Sequence, residues 1–553
     1  MQKTYTNPHF AYRRSDDQRS GSPAHHRVVI VGAGPIGLTA AIDLGLHGIE
    51  TVLLDDNDTV SVGSRAVCHS KRALEILDRL GCGQAIVDRG VGWNVGKVFF
   101  RDRKVYEFNL LPEPGHKRPA FINLQQYHFE EALVHRLDEL GNVDLRWRNR
   151  VVSVTSGPDR VELTIETPDG PYRLTCDWLI AADGAKSTVR EALGLDFTGQ
   201  VFPDRFLIAD VVMKAEFPAE RWFWFDPPFH RNQSALLHRQ ADHVWRFDFQ
   251  LGAQADPELE KMPERVIPRV RAMLGDGRDF ELEWVSVYTF QCRRMQRFRH
   301  GRVLFAGDAA HQVSPFGARG ANSGVQDVDN LAWKLKLVLD RRAPVQLLDS
   351  YSDERGFAAD ENILNSTRST DFISPKSKAS HVFRDAVLAL AEHHPFARSL
   401  VNSGRLSLPS IYADSPLNTP DADAFAAGMR PGSPCADAPV GIDDKRAWLI
   451  DALRHPSAPG FIGLLFVDRA PFPAAAFDAL ATAPISVQTL VVTRSPNGRP
   501  GAMADVDGLA FRRYDAEPGT YYLIRPDQHV AGRWRNFDAG KVGSALARAT
   551  GNG

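Results

Sequence analysis

From Arg27 the chain passes from a long polar stretch into Val28-Val29-Ile30-Val31, an apolar, β-branched run suited to a strand buried on both faces. Helical spacing follows over Leu38 to Leu46, and then a second short apolar run, Thr51-Val52-Leu53-Leu54. The same succession of buried strand and helix returns at Leu179-Ile180-Ala181-Ala182, and again at Val303-Leu304-Phe305-Ala306 ahead of a helix over Val325 to Leu339. Between these the pattern changes. Residues 196 to 290 carry aromatic, strand-like stretches at Arg221 to Phe225, Ser234 to Arg239 and His243 to Gln250, where alternate positions face opposite sides of a sheet. Past Pro375, Ser380 to His393 has apolar residues at helical spacing and Pro395 restarts the helix. Leu408 to Pro434 is rich in Pro, Ser and Asp, as a linker is. Strand-like Gly460 to Val467, Ile485 to Thr493 and Tyr521 to Arg525 follow, and Pro526-Asp527-Gln528-His529 turns the chain into Val530 to Trp534 as a β-hairpin.

This pattern predicts an α/β protein with buried parallel strands, a strand-rich middle segment and a separate C-terminal unit. The expected segments are a disordered tail over 1–26, a nucleotide-binding domain over 27–195 and 291–375, a substrate-binding sheet over 196–290, a helical segment and linker over 376–424, and a last domain over 425–553. A chain of 553 residues is too long for one core, which agrees with this division. No apolar run reaches the roughly eighteen residues that span a bilayer, and Met1 to His26 lacks the apolar centre of a secretion signal. A formal charge of -2 gives no electrostatic reason to expect nucleic acid or a membrane as partner. The five cysteines, Cys68, Cys82, Cys176, Cys292 and Cys435, form no CxxC pair and no metal-ligand spacing. A cytoplasmic protein with reduced thiols and no metal site is expected.

Candidate chemistry begins immediately after the first strand, in Gly32-Ala33-Gly34-Pro35-Ile36-Gly37. Strand, GxGxxG and helix together form the context in which this motif binds a dinucleotide: Gly32 allows the turn, Gly34 admits a pyrophosphate to the backbone, and Gly37 lets helix and strand approach. The helix N-terminus offers free N–H groups to the phosphates. Asp55, closing the second strand, stands where a ribose hydroxyl is held. Up to this point FAD and NAD suit the motif equally.

Two later stretches separate them. One is Leu179-Ile180-Ala181-Ala182-Asp183-Gly184-Ala185-Lys186-Ser187-Thr188-Val189-Arg190. The other is Val303-Leu304-Phe305-Ala306-Gly307-Asp308, with Pro315-Phe316-Gly317-Ala318-Arg319-Gly320-Ala321-Asn322 beyond it. With the first motif they resemble the single-component, FAD-dependent aromatic hydroxylases, in particular the branch of 3-(3-hydroxyphenyl)propionate hydroxylase, pentachlorophenol monooxygenase and polyketide hydroxylases. The resemblance spans roughly residues 27 to 375 in three boxes in family order. It implies a Rossmann-like FAD-binding domain of the glutathione-reductase type, an inserted substrate sheet and a C-terminal thioredoxin-like domain.

By position, the resemblance assigns Gly32, Gly34, Pro35 and Gly37 to the FAD pyrophosphate and Asp55 to the adenosine ribose. Arg65 falls near the pyrophosphate, Gln126 at the FAD, and Asp183 and Gly184 in a box linked to FAD and NAD(P)H. Gly307 and Asp308 fall at the ribityl-pyrophosphate region. Pro315, Gly317, Arg319, Gly320, Ala321 and Asn322 belong to the loop under the flavin ring. Two positions depart from the family pattern: Asp55 replaces the commoner Glu, and Ala318-Arg319 stands where many relatives have Gly-Gln. For Arg319 three roles stay open: biasing the flavin, anchoring an anionic substrate, or facing solvent. Each aspartate that ends a strand also has an ordinary use as a helix cap.

The resemblance further implies that NADH or NADPH reduces FAD, that O2 adds at flavin C4a, and that its distal oxygen attacks a phenol-activated ring carbon. The partner is then a small aromatic compound, and a homodimer is the family habit. His238, Arg246, Tyr288 and Arg293 are the polar groups of the inserted sheet that suit orienting a phenol, each with an ordinary structural alternative. Trp222-Phe223-Trp224-Phe225-Asp226-Pro227 is superficially similar to the WxWxIP box of flavin-dependent halogenases, but has Asp in place of Ile. A halogenase, a hydroxylase of a non-phenolic ring and a flavin-binding sensor without turnover are the competing readings. The C-terminal domain, with Cys435 alone, lacks the cysteine pair of a redox domain and is expected to be structural or oligomer-forming; Arg525-Pro526-Asp527 is read there as a turn.

Overall fold

The computed structural model describes residues 4–275, 277–401, 407–443, 445–454, 459–468, 474–494 and 502–553. Val143–Arg146, Thr51–Leu54, Ala24–Val31, Tyr172–Ala181 and Val303–Phe305 lie side by side in that order as a parallel sheet. Val28, Val29, Ile30, Leu53, Leu179 and Leu304 are fully buried at its centre, each contributing about 1.5–3 kcal/mol of apolar burial. The helices Pro35–Leu46, Gln126–Leu140 and Gly320–Leu339 pack together against it. Tyr172–Ala181 also continues into an antiparallel pair with Val161–Glu166, which pairs in turn with Arg150–Ser156.

The inserted sheet has the order His311–Gln312, Glu281–Arg294, Thr198–Val212, Val244–Leu251, Ser234–Arg239, Arg221–Phe225, Val95–Phe100, Arg103–Asn109. Its composition corrects the expected segment bounds twice. Residues 95–109 belong to this sheet and not to the nucleotide-binding part, because Val95–Phe100 runs parallel to Arg221–Phe225 and the Phe99 ring stacks on Trp224 at 4.8 Å. At the other edge, Glu281–Arg294 crosses the expected boundary at 290 without a break. Strand pairing carries no trace of sequence distance, so a pattern read locally does not reveal either join.

The N-terminal tail departs from expectation as well. The tail is docked on both parts of the fold: Thr4 donates to Glu283 of the inserted sheet, Tyr5 stacks on Tyr127 at 4.2 Å, and Phe10 stacks on Trp147 of the nucleotide-binding domain at 4.5 Å. A short helix, Asp16–Ser20, holds Asp17 between His26 and Arg146. Two well-spaced aromatic rings and one ion cluster order a segment whose average composition is polar; residues 1–3 lie outside the described chain.

Beyond the long helix Asp349–Ile373 come Lys378–His393 and Pro395–Leu400, and the chain from Ser407 to Pro434 is largely irregular, as a linker is; 402–406 lie outside the described residues. In the C-terminal sheet Phe461–Val467 is flanked by the parallel Val487–Thr493 and the antiparallel Tyr521–Ile524, which forms a hairpin with Val530–Trp534. Helices Ala474–Ala481 and Ala539–Ala549 cover one face. This is the strand order of a thioredoxin-like unit.

Arg525-Pro526-Asp527 is more than a turn. It inserts into the nucleotide-binding domain, where the fully buried Arg525 donates to both Glu354 oxygens, at 2.6 and 2.9 Å, and to Asp527 at 3.0 Å. Lys334 reaches the same Glu354 at 2.8 Å. Arg72 bonds Asp329, the Asp527 carbonyl and Gln528 at 3.0, 2.8 and 2.9 Å. Glu354 of Asp349–Ile373 and Arg72 of Lys71–Leu80 thus dock the C-terminal domain, and Lys334 and Asp329 of Gly320–Leu339 hold those two charges from behind.

Candidate active site

The first glycine turn has the geometry a pyrophosphate requires. Gly32 holds φ +100, and a Cβ there would lie 2.6 Å from the Ala182 carbonyl oxygen. A Cβ on Gly37 would come within 1.7 Å of the Gly32 carbonyl oxygen, so helix and strand touch at that point. Gly34 differs: nothing lies within 4 Å of its Cβ position. Packing does not demand that glycine, and the open side faces the first turn of Pro35–Leu46, whose N–H groups no side chain caps. An uncapped helix N-terminus beside open backbone is a cradle for an anion.

Around this turn the other boxes converge. Asp55 accepts from the Ala33 N–H at 2.5 Å and from Asn57, which ties the second strand to the glycine turn. Burial pushes its carboxyl up, with the Asn57 and Ala33 hydrogen bonds pulling against it. Asp183 serves partly as a cap, since its Oδ2 accepts from the Val189 N–H at 3.0 Å, while its Oδ1 is buried without a hydrogen-bond partner among the described residues. Gly184, at φ +75, has open space around it. Gly307 adopts φ +61 and packs on Ile36, and its N–H donates to Asp327 at 3.0 Å. Asp327 also takes His311 at 2.7 Å and Arg355 at 2.6 Å, and these two hold its carboxyl low although burial alone would raise it.

Asp308 projects from that turn deep into the fold, yet its side chain is exposed, so it lines a cleft. Burial raises its carboxyl, opposed by His311 and Arg65. Arg65 is exposed on the same side, 6.0 Å from the Tyr288 ring. Gln126 does not present its amide to this cleft. Its Nε2 donates to Ser61 and Glu130, each at 2.9 Å, and its Oε1 accepts from the Ala66 N–H at 3.1 Å. It holds the loop that carries Arg65.

In the flavin-ring loop, Pro315–Gly317 form a 3-10 turn fastened to the inserted sheet by Phe316, whose ring lies 4.8 Å from Phe206 and 5.1 Å from Phe290. Ala318 is left-handed at φ +50, a conformation glycine adopts without strain. Arg319 does not face solvent. It is 3% exposed, and its guanidinium lies over Gly317, where a Cβ would collide with Nη1 at 1.5 Å. Asn322 donates to the Cys68 and Ala318 carbonyls and accepts from the Ser70 N–H, joining the loop to Cys68–Ser70. Gly320 and Ala321 open the helix Gly320–Leu339, which again lacks a side-chain cap, and the Gly320 Cβ position is 4.0 Å from Asp308 Oδ1.

Opposite these groups stands one face of the inserted sheet. Register places Arg221, His238, Arg246 and Asp210 in a row across four strands, with Phe223, Leu236, Asp248, Ile208 and Ser286 in the next row on the same side. The face is turned toward the nucleotide-binding domain, since Arg246 donates to the Ser64 carbonyl and His238 Nδ1 lies 3.9 Å from Cys68 Sγ. His238, Arg246 and Tyr288 therefore share the cleft. Arg293 does not: it donates to the Phe197 carbonyl. Trp222 and Trp224 lie on the outer face with Val266 and Val270, so the halogenase-like box lines no cleft.

Asp248 and Arg221 were not singled out from the sequence. The signal is present in Trp245-Arg246-Phe247-Asp248-Phe249-Gln250, a strict alternation in which the polar set points inward and the aromatic set outward. Inward polar residues on a central strand signal a site, because a core would bury the aromatics on both sides.

An uncapped, open glycine turn, a carboxylate at the end of the second strand, the orphaned Asp183 Oδ1 and the cleft-facing Asp308 and Arg65 fit FAD. They fit a flavin-dependent oxidoreductase, and they share one cleft with the polar face of the inserted sheet.

Sequence comparison agrees. Residues 25–366 match the family described as FAD binding domain. The chain is 31% identical to the 6-methylpretetramide 4-monooxygenase of Streptomyces rimosus over 92% of its own length and 90% of the relative's. It is 27% identical to a 3-(3-hydroxy-phenyl)propionate/3-hydroxycinnamic acid hydroxylase of Mycobacterium sp. (strain KMS), over 94% and 90% of the two chains. Among solved structures, the flavin-dependent monooxygenase PieE in complex with FAD and substrate superposes with a TM-score of 0.81 at 23% identity, covering 96% of this chain and all (100%) of that one. The chain belongs to this FAD-binding family, the FAD-dependent aromatic hydroxylases.

Proposed function

We propose that the protein hydroxylates a phenolic aromatic compound, with NADH or NADPH as reductant and O2 as oxidant. The observation that carries this reading is the polar inner face of the inserted sheet, set against the flavin elements with buried Arg221, Arg246 and His238 and the partly exposed Asp248. A carbon skeleton without ionisable groups has no use for such a face; a ring hydroxyl does. Bound FAD supplies the two-electron chemistry and the activation of oxygen. Gly32, Gly34, Gly37, Asp55, Arg65, Asp183 and Asp308 would hold it.

The protein's own part is to bind, orient and exclude water. Phe206, Phe290 and Phe316 close one side of the cleft with apolar surface. The Tyr288 phenol is pushed up by burial, so it stays protonated and acts as a donor. Burial, reinforced by Arg221 and Arg246, pushes His238 well below its ordinary 6.5, so it is neutral at pH 7. Arg246 is fixed by Asp210 at 2.8 and 2.7 Å and holds the shape of the face.

The test is NADH and NADPH oxidation by the FAD-loaded protein against hydroxybenzoates, hydroxyphenylpropionates, resorcinol, nitro- and chlorophenols and polycyclic phenols, with product mass read alongside. Ligand-stimulated oxidation giving a product heavier by one oxygen atom supports the reading. Halogenated product in the presence of chloride, or tight phenol binding with no oxidation under either nucleotide, sinks it.

A further inference from the structure

Two charged groups on the inner face have no lysine or arginine, aspartate or glutamate partner in ion-pair range among the described residues. Arg246 is neutralised by Asp210 in a two-point contact. Asp248, on the same strand, is different. Its Oδ1 is buried and has no hydrogen-bond partner among the described residues, and its Oδ2 has only His238 Nε2 at 3.9 Å in salt-bridge range. The residue lies deep in the fold, yet its side chain keeps 17% exposure, so it looks into the cleft and not into packed protein. Arg221, two strands away, is 8% exposed and forms no ion pair among the described residues; its Nη1 reaches Cys68 Sγ at 4.0 Å.

A partly exposed carboxylate and a buried guanidinium at one cleft, not paired to each other, leave room for a ligand that satisfies both. A ring hydroxyl does so: it donates to the carboxylate and, once ionised, offers the guanidinium a negative oxygen. We propose that Asp248 takes the proton from the substrate's ring hydroxyl and that Arg221 holds the phenolate oxygen that results. This rests on the reading of the protein as a phenol hydroxylase. The phenol O–H bond breaks, an O–H bond forms at Asp248, the electron pair stays on the substrate oxygen, and one negative charge moves from the carboxylate to the ring. The ring carbons ortho and para to that oxygen become electron-rich, which an electrophilic oxygen requires.

The surroundings suit this role. Burial pushes the Asp248 carboxyl up to about 6, with Arg246 and Arg221 pulling against it and Asp210 adding to the rise. A stronger base than an ordinary aspartate results, still ionised for the most part at neutral pH. The other titratable groups facing it are His238 on the neighbouring strand, Cys68 from the nucleotide-binding domain and Tyr288 at the far edge. Burial holds the Cys68 thiol and the Tyr288 phenol protonated and the His238 ring neutral. The thiol and the phenol have a proton already, and His238, pushed well below 6.5, is a weaker base than Asp248.

The test compares the full-length, FAD-loaded protein with its Asp248→Asn, Asp248→Glu and Arg221→Met variants, on the panel phenol turned over fastest. Wild-type kcat/KM should rise with pH through an apparent pKa near 6. Asp248→Asn should lower kcat/KM at pH 7 by about 100-fold or more, lose that limb, and recover as the pH approaches the phenol's own ionisation. Asp248→Glu should keep a limb. In absorbance titrations, the bound phenol should ionise at higher pH in Asp248→Asn and in Arg221→Met than in the wild type. FAD absorbance and NAD(P)H-dependent flavin reduction report that each variant is folded. A wild-type limb in Asp248→Asn with kcat/KM within about 3-fold overturns the assignment and leaves the hydroxylase reading standing. A wild type that hydroxylates no phenol removes that reading and the assignment together.

Discussion

Arg525→Met tests what the C-terminal domain does. Arg525 is fully buried and supplies hydrogen bonds to two carboxylates on different domains, Glu354 and Asp527. Without it, Lys334 still faces Glu354 at 2.8 Å, so that carboxylate keeps a counter-charge, and Asp527 keeps His529 at 3.5 Å as a polar neighbour. Breaking a buried ion pair from one side costs about 3–5 kcal/mol, and the remaining partners place this case near 3. For a unit the size of the C-terminal domain that corresponds to a fall in midpoint of about 6–12 °C. The assay is thermal unfolding followed by circular dichroism and tryptophan fluorescence, at fixed FAD and protein concentration. Adding Glu354→Gln to Arg525→Met should cost less than the sum of the two single changes by more than about 1 kcal/mol, a coupling typical of groups in one network. Acid supplies a second check. Burial would lift Glu354 above its ordinary 4.5, but Arg525 and Lys334 outweigh it and hold the group far below. Its stabilisation is therefore complete above pH 4.5 and is lost as pH falls toward the folded-state value, so the wild-type advantage over Glu354→Gln should shrink with acid. A midpoint shift for Arg525→Met below about 2 °C, or strict additivity in the double variant, would show that the cluster does not dock the domain.

Further expectations concern the glycine turn, the flavin loop and buried histidines. Gly34→Ala should leave the stability of the FAD-free protein unchanged, because nothing lies within 4 Å of the new methyl group, while lowering FAD affinity by about 10- to 100-fold; Gly37→Ala, 1.7 Å from a carbonyl oxygen, should instead destabilise the fold itself. Calorimetric FAD titration beside unfolding curves separates the two effects, and equal stability loss in both variants would refute the assignment of roles. Ala318→Gly removes a left-handed alanine and should raise stability by about 0.5–1 kcal/mol; a loss of stability would mean that the methyl group's packing outweighs the strain. Burial holds His47 and His69 down to about 4 from an ordinary 6.5. The unfolded chain therefore takes up protons first, and denaturation midpoints should fall as pH drops from 6.5 toward 4. Replacing both histidines with glutamine should flatten that slope, and an unchanged slope would assign it elsewhere.

Much of the nucleotide-binding half was legible in the sequence because its determinants are local. A β-branched run, three glycines and an uncapped helix start occupy fourteen successive residues, Val28 to Ala41, and each step needs only its neighbours. Asp55, Asp183 and Asp308 each close a short buried strand, so the strand pattern located them too. The role of Gln126 was not legible, because its amide is consumed by Ser61, Ala66 and Glu130, and nothing in its helix announces that. The burial of Arg319 depends on Gly317 having no side chain beneath it, a fact of three-dimensional packing. The N-terminal tail was misjudged because average polarity hid Tyr5 and Phe10, whose docking sites lie more than a hundred residues away in the chain.

By itself the sequence determined which dinucleotide turn is built and which strands are buried, since periodicity and glycine placement are properties of neighbouring residues. Tertiary structure alone decided that residues 95–109 complete that sheet, that Arg525 and Asp527 plug into Glu354 and Arg72, and that Asp248 and Arg221 face one cleft unpaired. Those outcomes depend on strand register and domain docking, which bring together groups separated by tens to hundreds of residues. There a charge's partner is set by geometry and desolvation, and not by its place in the chain.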